Sequence, residues 1–80
     1  MKNKNQKSNS KMKIQNIKIS SNFETHPPRW EKVMKCYNHY VQTGDLGKPI
    51  LISNGILVDN YVVYLVAKMF GVEEVEVEEI

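Results

Sequence analysis

Pro49-Ile50-Leu51-Ile52-Ser53-Asn54-Gly55-Ile56-Leu57-Val58-Asp59 reads as two short apolar runs joined by a two-residue turn. Asn-Gly suits a type I′ turn because both central positions accept positive φ, and that turn matches the twist of paired strands. Ile50–Ser53 therefore pairs with Ile56–Val58. Upstream, Trp30, Val33, Met34, Tyr37 and Val41 recur at helical spacing, with Glu31, Lys32, Lys35 and Asn38 on the other face. Thr25-His26-Pro27-Pro28 opens this helix, with Thr25 or His26 at the cap, since proline fits a first helical turn. Gly44 stops it, and Trp30 is expected as a core anchor. Downstream, Val62, Leu65, Val66, Met69 and Phe70 fit one helical face between Asp59, a good N-cap, and Gly71. The valines also suit a strand, but periodicity favours the helix, with Tyr61, Tyr64 and Lys68 on its wetter side. Val72, Val75 and Val77 then alternate with Glu74, Glu76 and Glu78, the mark of a strand with one acidic face. A further short strand is expected near residues 14–19, from the alternation Ile17-Lys18-Ile19. The order is β-α-β-β-α-β, a small α+β domain over residues 14–80.

Charge divides unevenly along the chain. Residues 1–18 hold Lys2, Lys4, Lys7, Lys11, Lys13 and Lys18 and no acid, whereas residues 19–80 hold five basic and nine acidic residues. Residues 1–11 contain only Met, Lys, Asn, Gln and Ser, with nothing to bury against the cost of ordering a backbone. We expect a disordered basic arm over residues 1–13. An 80-residue chain leaves room for one such domain beside the arm. No stretch approaches the roughly 20 apolar residues of a membrane span, and the polar start lacks the apolar core of a signal peptide. A single cysteine, Cys36, staples nothing by itself, which points to a reducing, cytoplasmic setting.

Three segments together resemble a known superfamily. Residues 44–52 (GDLGKPILI) resemble the "G…PI.V" segment of ParB N-terminal domains and sulfiredoxins. Residues 54–59 (NGILVD) are similar to their "dG.LVDG" hairpin, and residues 64–77 (YLVAKMFGVEEVEV) to the "RYLAAKELGLKEVPV" that follows. The resemblance implies a ParB/sulfiredoxin-like fold for residues 14–80, with chemistry at the turn that opens the second helix. Members carry Gly-Glu-Arg-Arg there for a cytidine nucleotide, or Gly-Cys-His-Arg with a reactive cysteine. In this chain the corresponding run is Asp59-Asn60-Tyr61-Val62-Val63-Tyr64. The glycine has become Asn60 and the basic positions have become Tyr61, Val62 and Val63. Valine offers neither the charge nor the donors with which arginine forks a phosphate.

The expected function is accordingly non-catalytic: a small binding or regulatory protein acting on a protein or nucleic-acid partner. A phage or plasmid accessory protein that modulates a nucleic-acid-handling enzyme fits that description. The alternative is a diverged nucleotide-binding enzyme of the superfamily (CTPase, kinase or nuclease-like) using Asp59, Asn60 and backbone N–H groups. Tyr61, Tyr64 and Lys68 are the candidate partner face, and Lys2, Lys4, Lys7, Lys11 and Lys13 the candidate nucleic-acid contacts. Cys36 and His39 stand three apart on a helix but lack a second pair, so no metal is expected, and no cofactor. The acids between Glu73 and Glu79 read as a solvated strand face, or as a mimic of nucleic-acid charge. A core this small makes a homodimer a further expectation.

Overall fold

Asn54 and Gly55 take φ of 54° and 79°, so the hairpin closes with both central residues left-handed, as the dipeptide implies. The computed structural model describes residues 10–80. Its elements are strand β1 (Ser10–Lys13), helix α1 (Ser21–Thr25), helix α2 (Trp30–Thr43), strands β2 (Ile50–Ser53) and β3 (Ile56–Asp59), helix α3 (Tyr61–Met69) and strand β4 (Glu74–Glu79). The strands form one mixed sheet in the order β1-β4-β2-β3. β2 pairs antiparallel with β3 and parallel with β4, so α3 is the crossover that returns the chain beside β2. β1 adds antiparallel to the free side of β4.

Alternation places one face of the sheet against the helices. Ile50, Ile52, Leu57, Val75 and Val77 are buried there with Ile17 and with Val63 and Ala67 of α3. Val33 and Val66 are buried as well, and among the described residues no polar or charged side chain is. The opposite face is exposed and charged. In the β1–β4 register Lys11 stands opposite Glu76 and Lys13 opposite Glu74.

Several expectations shift. The first strand lies at Ser10–Lys13, not at residues 14–19. Ile14 donates its N–H to Glu73 O at 2.9 Å, and residues Ile14–Asn16 then form a 3-10 turn. That turn aims Ile17 into the core and lets Lys18 bridge to Ile56 beside β3. Four residues assigned to the arm therefore belong to the sheet, because β4 supplies the backbone partners that isolated polar residues lack.

The first long helix begins later than expected. A separate turn of helix, α1, ends at His26, and Arg29 caps α2. Each proline drives its predecessor out of the helical region, so Pro27-Pro28 separates two helices instead of opening one. His26 shows the effect, at φ −128° and ψ 72°. Starting α2 at Trp30 leaves that indole 66% exposed, so Trp30 is not a core anchor. Val33 is the one α2 residue that is fully buried. In α3 the buried face is Val63, Val66 and Ala67, turned from the expected Val62-Leu65-Val66-Met69-Phe70 face, and Met69 and Phe70 are exposed. Asp59 ends β3, and the cap of α3 falls one residue later, on Asn60. β4 is interior to the sheet, between β1 and β2.

Candidate functional site

The turn from β3 into α3 is built by a bulge. Ile52 faces Leu57 but Leu51 faces Asp59, so Val58 is the extra residue. Bulges re-aim the residues that follow them, and here the chain must turn sharply upward into a helix. Asn60 makes that turn in the left-handed conformation, at φ 66° and ψ 41°. After glycine, asparagine is among the residues that tolerate this region best, so its presence here fits the backbone. The side chain is also used. Its Nδ2 donates to Pro49 O at 2.7 Å, tying the turn to the start of β2. Asp59 Oδ1 accepts the N–H of Asn60 at 2.7 Å, and Asn60 O accepts the N–H groups of Val63 and Tyr64.

Two of the next three side chains, those of Tyr61 and Val63, pack within the domain. Val63 is buried in the core. The Tyr61 ring lies 5.3 Å from Phe23 of α1 and 5.9 Å from Tyr64, nearly parallel to the latter at 17°. The Lys68 ammonium sits 5.7 Å from the centre of the Tyr64 ring. Phe23, Tyr61, Tyr64 and Lys68 thus form one row along α3. Burial lifts the Tyr61 phenol above its ordinary range, with Glu24 and Tyr64 adding to the rise. The proposed partner residues do come together, although Tyr61 and Tyr64 are half-buried against the core rather than free on a wet face. Phe23 was not singled out in the sequence, where a lone aromatic in a polar stretch carries no period.

Asp59 and Asn60, read as nucleotide contacts, are adjacent and well ordered by these bonds. No lysine or arginine stands among residues 59–64. Of the candidate nucleic-acid contacts, Lys2, Lys4 and Lys7 lie outside the described residues, and Lys11 and Lys13 face Glu76 and Glu74. Among the described residues no three His, Cys, Asp or Glu side chains converge as a metal site. Cys36 is half-buried in α2. Burial raises its thiol, and Lys48 pulls it partly back. No helix among the described residues is long and apolar enough to cross a membrane.

A second feature is a groove of about 480 Å³ between α2 and α3, lined by Pro27, Pro28, Trp30, Val33, Leu65, Lys68 and Met69. Sequence periodicity hides it. Periodicity assigns Trp30 and Met69 to the interior, and the late start of α2 and the turned face of α3 bring them to the surface.

No protein-family model matches the sequence, and no curated protein matches it. Solved structures do match. A pNOB8-like ParB N-domain superposes with a TM-score of 0.76 at 19% identity, over 92% of this chain and 30% of that one. The chain has a ParB-N-like fold. A second pNOB8-like ParB N-domain structure gives a TM-score of 0.71 at 17% identity, over 92% of this chain and 27% of the other. The C-terminally truncated chromosome-partitioning protein ParB from Caulobacter crescentus, complexed with CTP-γ-S, gives 0.72 at 15% identity, over 91% of this chain and 44% of that one. The chain thus spans less than half the length of each of these three structures. In this chain the turn into α3 is left-handed at Asn60, and the side chains of Asn60, Tyr61 and Val63 are held within the domain.

Proposed function

We propose that this chain is a non-catalytic binding module that acts on a protein partner through the row Tyr61, Tyr64 and Lys68. One observation carries the reading: three side chains of the helix-opening turn, those of Asn60, Tyr61 and Val63, are engaged inside the domain. Asn60 holds Pro49, Tyr61 leans on Phe23, and Val63 fills the core. A nucleoside triphosphate would meet backbone N–H groups and the carboxylate of Asp59, with no cation to offset its charge. Along α3, by contrast, the aromatic row ends in an exposed lysine, and half-buried tyrosines beside a charge are a common makeup of protein contacts.

Nucleotide binding tests the first half directly. A ligand at about ten times its dissociation constant stabilises by about 1.4 kcal/mol, which for a domain of this size is a rise of about 5–11 °C in Tm. We expect CTP, ATP and ADP at millimolar levels to leave Tm unchanged. A rise that Asp59→Ala abolishes would establish the nucleotide-binding alternative instead. The second half is tested by affinity capture from the native host with the chain and with Tyr64→Ala/Lys68→Glu. A partner that binds both equally refutes the proposed face.

A further inference from the structure

The two long helices and the sheet carry opposite charge. α2 with its cap, together with α3, holds Arg29, Lys32, Lys35 and Lys68 against Glu31 alone, a net of +3. The four strands hold two lysines and five acids, a net of −3. On the cationic side lies the apolar groove between α2 and α3, with Trp30 at its lip, 66% exposed, and Met69 of α3 at 52%. Lys68 is the one charge in its lining, and exposed Arg29 stands between the lining residues Pro28 and Trp30. We infer that this groove receives an acidic amphipathic helix of a protein partner, its apolar stripe seated between Trp30 and Met69 and its carboxylates directed to Lys68 and Arg29. The inference rests on the protein-binding reading above and names the class of partner, because Lys68 belongs both to the aromatic row and to the groove.

Backbone chemistry selects a helix. The walls of the groove are themselves helices, whose N–H and C=O groups are bonded along their own length. Nothing in such walls completes the backbone of an extended strand, which would be left with unpaired groups against an apolar surface. An incoming helix brings its own backbone bonds and offers side chains alone, the usual way an amphipathic segment enters a hydrophobic groove. α3 presents a matching flank, with Tyr61, Tyr64, Leu65, Lys68 and Met69 at i, i+3, i+4, i+7 and i+8.

Charge then chooses among helices. A second copy of this chain would bring its own +3 surface against this one, and like charges set face to face cost binding energy. A basic segment meets the same repulsion. An acidic helix finds an apolar centre with cations at its rim, the ordinary division of a protein interface. A nucleic-acid strand has the charge but lacks the aliphatic surface that Pro27, Pro28, Leu65 and Met69 call for.

Selection from a display library of random peptides of about 16 residues, roughly four helical turns, against the full chain tests the inference. Enriched peptides should be acidic, with apolar residues at helical spacing. Resynthesised without tryptophan, they should shift the emission of Trp30, the sole tryptophan, to shorter wavelength and lower its quenching by acrylamide. By titration calorimetry, Trp30→Ala should weaken binding about 30-fold or more, the scale of a central contact residue. Lys68→Glu should weaken it about ten-fold, and raising salt from about 50 to about 500 mM several-fold. Met69→Glu should abolish it. Both Trp30 and Met69 are exposed, so these variants should keep the far-UV circular dichroism of the parent. No enrichment, enrichment of neutral or basic peptides, or acidic peptides that bind Trp30→Ala and Met69→Glu as tightly as the parent each overturns the inference. So does an emission shift, lost in Met69→Glu, when the chain alone is concentrated or a single-stranded oligonucleotide is added, which would give the groove to a second copy or to nucleic acid. The two readings fail separately. A host partner that needs Tyr64 and Lys68 but not Trp30 refutes the groove and leaves the row. Acidic peptides that need Trp30, beside a host partner indifferent to Tyr64→Ala/Lys68→Glu, refute the row alone.

Discussion

Asn60 offers the sharpest test of how the α3 turn is held. It performs two tasks, a left-handed backbone and a 2.7 Å bond from Nδ2 to Pro49 O, and two substitutions separate them. Asn60→Gly keeps the backbone at ease and removes the bond. A part-buried hydrogen bond contributes about 1 kcal/mol, so the glycine variant should lose about that much. Asn60→Ala removes the bond and also forces a β-carbon into the left-handed region, which costs roughly 1 kcal/mol more than asparagine. The alanine variant should therefore lose about 2 kcal/mol, a drop of about 8–16 °C in Tm. Urea unfolding followed by circular dichroism reads both values, provided m stays constant. Both variants should be measured at one low protein concentration, because association raises apparent stability. Two results refute the reasoning. If alanine is no worse than glycine, the turn does not demand a left-handed residue. If glycine matches the parent within about 0.3 kcal/mol, the Pro49 bond contributes nothing measurable.

The outer sheet face predicts a charge cycle. Lys13→Glu sets like charges opposite each other at Glu74 and should cost about 0.5–1 kcal/mol, most of which Glu74→Lys should restore. The coupling should shrink in about 1 M salt, and its absence at low salt would show that the register does not bring the pair together. Stability should also fall in alkali. The Cys36 thiol and Tyr61 phenol are both raised, so the folded chain keeps protons that the unfolded chain releases. Their contribution is complete below the ordinary thiol value of 9.0 and declines as pH climbs through the raised values. Cys36→Ala should flatten the first part of that decline and Tyr61→Phe the part above 10.0, as followed by Tm against pH.

What could be read from the sequence was what short-range physics decides. Asn54-Gly55 dictated its turn locally, and the alternation of Val75 and Val77 with glutamate assigned β4 a buried face without reference to any neighbour. The α3 helix was also legible, but its rotation was not. Valines stand at 62, 63 and 66, so two adjacent faces are nearly equally apolar, and the bulge at Val58 together with the left-handed Asn60 decides which one meets the sheet. Both are backbone features with no periodic signature. The start of α2 is not legible in the sequence for a related reason. A double proline fits either a first turn or a break, and only the presence of α1 selects the break. Ser10–Lys13 offers no apolar run at all, and its strand exists because β4 has an unpaired side.

That last placement changes what the charge distribution means. Read along the chain, six lysines precede an acidic domain. Read in space, Lys11 and Lys13 return to the sheet and stand opposite Glu76 and Glu74. Residues 10–80 then carry eight basic and nine acidic side chains, so the folded part is nearly neutral, and Lys2, Lys4 and Lys7 are the surplus. A phosphate backbone attracts protein in proportion to the cations that displace its counterions, and a lysine already facing a glutamate displaces fewer. The same register weakens the view of β4 as an imitation of nucleic-acid charge, since it sets two of the strand's glutamates opposite lysines of their own chain. The surface left for recognition is the apolar and aromatic one carried by α2 and α3, the helices that the turn at Asn60 and the break at Pro27-Pro28 set in place.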